Sequence, residues 1–425
     1  MGVGGAGVSA LARVFLARGD EVSGCDAKES ETTAELEDAG VRVLIGHDPE
    51  HVLFQDLLVY SGAIKQSAEL DAARAMGLQV SSRPEMLAEL IRDSNSIAVA
   101  GTAGKTTVTH MLGHILVTAG FDPTVLVGDG ASTRAGRSEW LVAETDESDG
   151  TLTLHHPRRA IVTNIELDHP DHFRDVGAVR DLFQWFVQAL PADGVAVLCA
   201  DDELARELTP SARKVTYGFR SGATYRCEPK RPFAIHHEGI ELGRVSLRQP
   251  GRHNIQNATG AAAMALELGV KFADVAAALA TFPGAHRRME FLGVFQGATV
   301  YDDYAHHPTK VRATIEAARE LRHRRLIVVF QPHRYSRLAA LMHDFARAFD
   351  GADRVLVLDV YAAGEENVYD VRASDLAHQI PGASYVGDFT RAREELEGLV
   401  GPDDLVLLMG AGDIKKLGDE LAHKI

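Results

Sequence analysis

Cysteine is scarce in this sequence, and long apolar runs are missing. The three cysteines among its 425 residues, Cys25, Cys199 and Cys227, are far apart, so they form neither a CxxC metal motif nor a disulfide framework. We find no run of about 18 apolar residues, the length that a membrane-spanning helix needs. The first residues also lack the basic segment, apolar core and cleavage site of a secretory signal. We therefore expect a protein of the reducing cytoplasm that does not bind a membrane.

Positive charge is also in deficit. The chain has 44 Lys and Arg residues against 60 Asp and Glu residues, which gives a formal net charge of -16. The charge is spread along the chain, so it favours solubility and argues against a nucleic acid partner. The length fits two to four domains, of which we expect three, and the 45% of apolar residues suffices for complete cores.

The stretch IAVAGTAGKTT at residues 97–107 has the pattern of a strand, a phosphate-binding loop and the start of a helix. Gly101 and Gly104 allow backbone N–H groups to turn toward phosphate oxygens. Lys105 adds a point charge, and the hydroxyl of Thr106 can ligate magnesium. The usual loop carries a glycine further upstream, so this spacing is shortened. An ATP or GTP site and an ordinary glycine-rich turn both remain open at this point.

A second glycine motif opens the chain. Gly2, Gly4 and Gly7 match GxGxxG ahead of an amphipathic helix, and Asp26 follows at the end of a strand. The strand that normally precedes such glycines is missing, because Met1 stands directly before them. Either the recorded start is internal to the true gene product, or the first strand is absent and the sheet is weakened at its centre. A nicotinamide cofactor and a sugar nucleotide fit this motif equally well.

Acidic residues follow the strand after the phosphate loop. WLVAETDESDG ends in Glu144, Asp146, Glu147 and Asp149, and shared Mg²⁺ would relieve the repulsion between such carboxylates. A solvated acidic loop is the alternative. His169, after the next apolar strand, is either a metal ligand or a hydrogen-bonded turn residue.

The remaining chain alternates in the same way. The short alternating runs at residues 213–250 predict a small antiparallel sheet. The loop after it leads into an Ala-rich helix, and Asn257 either caps this helix or forms a hydrogen bond with an adenine. Arg288 lies in a basic trio that either reaches a triphosphate or is surface charge. From about Val294 the apolar strands again end in polar clusters, among them Asp302 to His307 and His333 to Arg337, which indicates a site at one sheet edge.

Taken in order, these motifs resemble the Mur ligase family over essentially the whole chain. The resemblance rests on the motifs GVGGAGVS, GTAGKTT, AETDESDG, TNIELDH, GRHNIQNA, HRRME, DDYAHHP, HRYSR, DVYAAGE and MGAGD. It implies an α/β protein of three domains. These are a Rossmann-like UDP-sugar domain at 1–93, a central ATPase-type domain at 94–292 and a Rossmann-like domain for the amino acid at 293–425.

The resemblance also implies a reaction. The lactyl carboxylate of UDP-N-acetylmuramate would attack the γ-phosphorus of ATP, and the amine of L-alanine would then attack the acyl phosphate. Transfer between two anions needs neutralised charge and alignment more than a nucleophilic side chain. We expect this enzyme of peptidoglycan precursor synthesis to be a monomer or weak homodimer.

The resemblance assigns roles to particular residues. The phosphate loop Gly101, Thr102, Ala103, Gly104, Lys105, Thr106 and Thr107 would hold ATP, with Asn257 at the adenine, Arg288 at the phosphates and Asp302 on the nucleotide side. Thr106 and Glu144 would ligate one Mg²⁺ and His169 a second. His333, Arg334 and Arg337 would face the acyl group and the incoming alanine, together with either His306 or His307. The UDP-sugar would lie against Gly2, Gly4, Gly5, Gly7, Ser61 and Ala63.

One letter of the phosphate loop departs from the family pattern. Members that add alanine usually carry His where this chain has Ala103, so ATP binding should survive without the contact that His makes. A sister ligase that adds a pre-formed peptide is the nearest alternative, and HRYSR favours the addition of a single alanine. A simple ATPase would not explain the two flanking domains, and a dehydrogenase would explain only the first.

Overall fold

The structure is a computed structural model that describes residues 1–128, 132–147, 150–168 and 172–422. The chain is mixed α/β, as predicted, and it divides into two compact units. Among the described residues, the first unit contains 1–168, 172–247 and 256–282, and the second contains 248–255 and 283–422. No helix in these ranges is both long and apolar enough to cross a bilayer.

The first 92 residues form the amino-terminal part of the first unit. Its elements are α1 (Ala6–Arg18), β1 (Ser23–Asp26), α2 (Glu31–Asp38), β2 (Arg42–Ile45), a 3-10 helix (Pro49–Val52), β3 (Leu57–Tyr60), α3 (Ala68–Ala75), β4 (Gln79–Ser82) and α4 (Arg83–Arg92). Local chemistry sets the boundaries: at the start of α4, the Ser82 hydroxyl accepts from the Glu85 amide and the Glu85 carboxylate accepts from the Ser82 amide.

The sheet of this part is divided into two parallel pairs, β1–β2 and β3–β4. Residues 1–3 lie between the pairs. The amino group of Met1 donates to the Val59 carbonyl (2.7 Å), while the amides of Gly2 and Val3 donate to the carbonyl of Cys25 (2.8 and 3.1 Å). The backbone of residues 1–3 thus bridges the two pairs, and no strand is assigned to these residues.

A nine-stranded sheet forms the rest of the first unit. Its elements, with the helix that leads into it from the second unit, are β5 (Asn95–Ala100), α5 (Lys105–Thr118), β6 (Thr124–Leu126), β7 (Trp140–Glu144), a 3-10 helix (Thr151–Leu154), β8 (Arg159–Val162), α6 (Val176–Gln188), β9 (Val195–Cys199), α7 (Glu203–Glu207), β10 (Arg213–Gly218), β11 (Tyr225–Cys227), β12 (Phe233–His237), β13 (Ile240–Val245), α8 (Arg252–Glu267) and α9 (Phe272–Thr281). The strand order is β13-β12-β11-β10-β9-β8-β5-β7-β6.

The phosphate-loop strand β5 lies inside this sheet, between β8 and β7, and pairs with both in parallel. Ile97, Ala98 and Val99 have no exposed surface, which is why the strand is a continuous apolar run. The predicted antiparallel strands are present as β11 to β13. They do not form a separate sheet, however, because β10 pairs in parallel with β9 on one side and with β11 on the other.

The second unit carries a six-stranded sheet. Its further elements are β14 (Glu290–Phe295), β15 (Ala298–Asp303), α10 (Pro308–Arg319), β16 (Leu326–Phe330), α11 (Tyr335–Ala346), β17 (Arg354–Leu358), α12 (Ala373–Gln379), β18 (Ala383–Gly387), α13 (Phe389–Leu399), β19 (Leu405–Met409) and α14 (Lys415–Leu421). The strand order is β14-β15-β19-β16-β17-β18, and only β14 runs antiparallel to its neighbour. The predicted domain boundary at 292/293 falls inside β14.

Candidate active site

The phosphate loop joins the end of β5 to the start of α5, and its two glycines are conformationally required. Gly101 has φ 139° and Gly104 has φ 85°, a region that residues with a Cβ rarely occupy. Space is also lacking. A Cβ on Gly104 would lie 2.7 Å from Oδ1 of Asn257, and one on Gly101 would overlap the Thr163 hydroxyl. The loop therefore has the shape of a phosphate cradle.

The backbone of this loop is fixed by the residues that follow β8. The amide of Ala103 donates to Oδ1 of Asn164 (2.7 Å), and its carbonyl accepts from the Thr163 hydroxyl (2.6 Å). One residue earlier, the Thr102 hydroxyl accepts from the Glu166 amide at 2.9 Å. Both backbone groups of Ala103 are thus bonded to the residues that follow β8, which fixes the loop at this position without any contact from the side chain.

Lys105 lies in the first turn of α5 and is surrounded by acids. Its Nζ is 2.6 Å from Oε2 of Glu147 and 3.6 Å from Oδ1 of Asp146. Burial alone would lower the pKa of Lys105, but the charges of Glu147, Asp146 and Glu144 outweigh this and raise the pKa above its usual value. Lys105 is therefore a permanent cation in the loop.

Thr106 and Glu144 meet at the carboxyl end of β7. The Thr106 hydroxyl donates to Oε1 of Glu144 (3.0 Å), and Oε2 of Glu144 accepts from the Gly128 amide (2.8 Å). A hydroxyl and a carboxylate beside a phosphate loop are the oxygen donors that Mg²⁺ prefers, so these residues fit that ion. Asp149 of the acidic region and His169, the predicted ligand of a second Mg²⁺, lie outside the described residues.

Asn257 belongs to the second turn of α8, not to its start. The helix begins at Arg252, so Asn257 does not act as its amino-terminal cap. Its side chain is 8% exposed and lies against Gly104. In the first turn of α5, Thr107 is also buried. Within the first unit, Glu144 and Asn257 therefore both lie against the phosphate loop, residues 101–107.

The predicted UDP-sugar residues also lie together. The Gly4 amide donates to Oδ2 of Asp26 (2.9 Å), and Gly5 precedes α1, in which Gly7 is the second residue. Ser61 lies so close to Gly2 that a Cβ there would be 3.0 Å from its own, and the Ala63 amide donates to the Ser61 hydroxyl. The glycine loop and the loop after β3 form one surface.

In the second unit, Asp302 and Arg288 contact different partners. Asp302 is fully buried and forms an ion pair with Arg287 (2.8 Å). The same guanidinium donates to the carbonyls of Gly410 and Gly412. Burial raises the pKa of Asp302, and the Arg287 charge partly offsets that rise. The Arg288 guanidinium lies 5.2 Å from the ring centre of Tyr304.

A second cluster of this unit contains His333, Arg334 and Arg337. Nδ1 of His333 is 3.2 Å from a guanidinium nitrogen of Arg337, and its ring stacks on Tyr361. Arg334 has φ 68°, and its amide donates to the Tyr361 carbonyl. The His306 ring lies 5.8 Å from the His333 ring, whereas His307 is the buried residue that precedes α10. The structure therefore brings His306, of the two candidates, to this cluster.

The contacts of several residues in these sites were missed at the sequence level. Asn164 and Glu147 stood in the polar turns after β8 and β7, but their partners in the phosphate loop lie 61 and 42 residues away. Tyr361 follows β17, and its position at a strand end was the available signal. Arg287 stood in the basic trio, and only the structure shows that it carries the Asp302 contact.

Known proteins are similar to this chain over nearly its whole length. Three family models match: "Mur ligase family, catalytic domain" at residues 1–95, "Mur ligase middle domain" at 99–265, and "Mur ligase, glutamate ligase domain" at 287–412. Among curated relatives, the UDP-N-acetylmuramate–L-alanine ligase of Geotalea uraniireducens is 39% identical and that of Solibacter usitatus 41%. The alignments cover 100% of this chain and 97% and 94% of those proteins.

A solved structure agrees with these relatives. The crystal structure of UDP-N-acetylmuramate–alanine ligase MurC from Thermotoga maritima superposes with a TM-score of 0.81 at 28% identity, covering 99% of this chain and 96% of that one. Its three-domain α/β fold is the fold predicted here. The chain therefore belongs to the Mur ligase family.

Proposed function

We propose that this chain is an ATP-dependent ligase that joins L-alanine to the lactyl carboxylate of UDP-N-acetylmuramate in peptidoglycan precursor synthesis. The observation that carries the proposal is the full-length similarity to ligases named for this reaction, at 39–41% identity. The phosphate loop supports it, because Lys105, Thr106 and Glu144 converge on the residues that would face a triphosphate.

The reaction has two steps. A carboxylate oxygen of the sugar nucleotide attacks the γ-phosphorus of ATP, which breaks the bond to the β,γ-bridging oxygen and gives ADP and an acyl phosphate. The amine of alanine then attacks the acyl carbon, inorganic phosphate leaves from the tetrahedral intermediate, and the nitrogen loses its proton. Lys105 provides a fixed positive charge for the first step, in which two anions must approach each other. Mg²⁺, held by Thr106 and Glu144, would neutralise further phosphate charge.

The other predicted residues bind and orient the partners. Gly2, Gly4, Gly5, Gly7, Ser61 and Ala63 would hold the UDP-sugar, and Asn257 would contact the adenine. Arg288 and Asp302 would act on the nucleotide side, and His333, Arg334 and Arg337 would receive the acyl group and alanine. We place the reaction in the cytoplasm, in keeping with three free and buried cysteines, and in a monomer or weak homodimer.

Phosphate release from ATP by the purified chain tests the proposal. Release should require UDP-N-acetylmuramate and an amino acid together, and L-alanine should support it better than L-alanyl-D-glutamyl peptide. Equal release without the sugar nucleotide would exclude the ligase function. A preference for the peptide would instead identify the sister activity.

A further inference from the structure

A cluster of metal-binding residue types lies in the amino-terminal part, among residues that the proposed reaction does not use. Cys25 of β1, His51 of the 3-10 helix Pro49–Val52 and Glu69 of α3 each direct one ligand atom to a common point. These three atoms lie within 4.8 Å of one another. Outside this group of three, Nδ1 of His47 lies 2.9 Å from the other carboxylate oxygen of Glu69, Oε2. Among the described residues, this is the one such group of three or more His, Cys, Asp and Glu ligands.

The distances within the cluster are close to those around a tetrahedral ion. Sγ of Cys25 is 3.1 Å and Nδ1 of His51 is 3.0 Å from the same Oε1 of Glu69. Metal bonds of about 2.0 to 2.3 Å place neighbouring tetrahedral ligands roughly 3.3 to 3.7 Å apart. A small outward movement of each side chain would therefore suffice to admit an ion.

Burial gives the cluster the closed character of a structural site. Glu69 is 0% and Cys25 4% exposed, while the side chains of His51 and His47 are 20% and 40% exposed. The two histidines thus leave an entry path from solvent.

We propose that Cys25, His51 and Glu69, with His47 as the fourth ligand, bind one zinc ion. Thiolate, imidazole and carboxylate together favour Zn²⁺ over the hard cations Mg²⁺ and Ca²⁺, which prefer oxygen. On binding, the Cys25 thiol gives up its proton to solvent, and each histidine coordinates through an unprotonated Nδ1.

The position of the site gives it a structural role. Cys25 belongs to the β1–β2 pair, while Glu69 lies in α3, which leads to β4 of the other pair. Residues 1–3 lie between these pairs, and the Cys25 carbonyl accepts from the amides of both Gly2 and Val3. Zinc would cross-link the two halves of the divided sheet and stiffen the glycine loop.

Cobalt is a suitable probe, because Co²⁺ occupies zinc sites and its bond to a thiolate gives a near-ultraviolet charge-transfer band. The chelator-treated full chain, without ATP, should bind one equivalent of Co²⁺ with this band and lose it on addition of Zn²⁺. Saturating Zn²⁺ should raise the first unfolding transition by about 5 °C. Failure to bind, or binding without the thiolate band, would overturn the proposal in favour of a metal-free hydrogen-bond network around Glu69.

Variants identify the ligands. Cys25→Ser should abolish the band, whereas Cys227→Ser, at another buried cysteine, should retain it. His51→Ala, at a partly exposed position, should weaken zinc binding at least tenfold. If Cys25→Ser does not fold, the zinc affinity of His51→Ala tests the site instead. Unchanged zinc affinity in folded His51→Ala would contradict the site, and circular dichroism establishes that each variant is folded.

Discussion

Nζ of Lys105 lies 2.6 Å from Oε2 of Glu147, so the only lysine of the phosphate loop is already paired with a buried acid. The carboxylate occupies one of the three donor positions of the ammonium group and keeps the group charged. A phosphate entering the loop would meet a cation that is fixed in place at neutral pH.

Removing this cation should slow the reaction strongly. We expect Lys105→Ala to lower kcat/KM for ATP by about 10³-fold, because it removes a preorganised charge from the site of phosphoryl transfer. The measurement is phosphate release with both co-substrates present. Lys271→Ala, at an exposed lysine before α9, is the control and should keep full activity.

Stability must be separated from catalysis in this experiment. Lys105→Ala leaves Glu147 buried without its cation, which costs about 3 kcal/mol of unfolding free energy. The double variant Lys105→Ala/Glu147→Gln removes the uncompensated charge and should recover most of that loss without recovering activity. Recovered activity in the double variant would mean that ATP binds elsewhere.

The contact between Gly104 and Asn257 predicts a second effect. Gly104→Ala would place a Cβ 2.7 Å from Oδ1 of Asn257 in a backbone conformation with φ 85°. Gly120 is the matched control, because it has φ 83° and open space around its Cα. Both variants should lose about 1 kcal/mol of stability to backbone strain. Only Gly104→Ala should also raise the KM for ATP, and equal KM values in the two variants would show that the contact is irrelevant to binding.

Much of the central architecture could be predicted from sequence, because buried parallel strands are continuous apolar runs. β5 and β16 are such runs, and each was expected where it lies, before the phosphate loop and before the cluster at His333. The strands that escaped prediction lack that signal. β6 has only three residues, and β14 is an edge strand in which Phe291 is 50% exposed.

The site could be predicted only in part. Motif order located the phosphate loop and the basic clusters, since those residues are neighbours in sequence. Pairings such as Lys105 with Glu147, or Gly104 with Asn257, depend on how strands are ordered in the sheet, which no local pattern specifies. The same limit applied to Cys25, His51 and Glu69, which are spread over 45 positions of the sequence.

By the family resemblance, Ala103 stands where ligases that add alanine are expected to carry His, so a substitution at this position is informative. Both backbone groups of Ala103 are bonded to residues after β8, so Ala103→His should leave the melting temperature unchanged. An added donor beside the phosphates should raise kcat/KM for ATP about tenfold, which corresponds to about 1.4 kcal/mol. Ala103→Leu adds bulk without a donor and should give no gain. A lower kcat/KM in Ala103→His would show that the alanine is adapted to this site.

The hydrogen bonds of Asp404 allow a prediction of how the stability of the second unit depends on pH. Its buried carboxylate accepts from Arg324 (2.9 Å), Arg325 (2.7 Å) and the Gly401 amide (3.0 Å). Burial alone would raise the pKa of Asp404, but these hydrogen bonds outweigh it and hold the pKa well below its usual range. The folded state therefore binds this proton less readily than the unfolded state.

The stabilisation from Asp404 should be present above the unfolded pKa of about 3.9 and disappear as the pH falls through the lower folded value. Asp404→Asn should lose about 2 kcal/mol of unfolding free energy at pH 7, because two guanidinium groups lose their buried partner. Urea unfolding at a series of pH values should show the difference from the unmodified chain shrinking from about pH 5 downward. Asp403→Asn, at the exposed neighbour, is the control and should show little difference at any pH. A loss in Asp404→Asn that stays constant down to about pH 2 would mean that packing, and not the charge of this carboxylate, carries the effect.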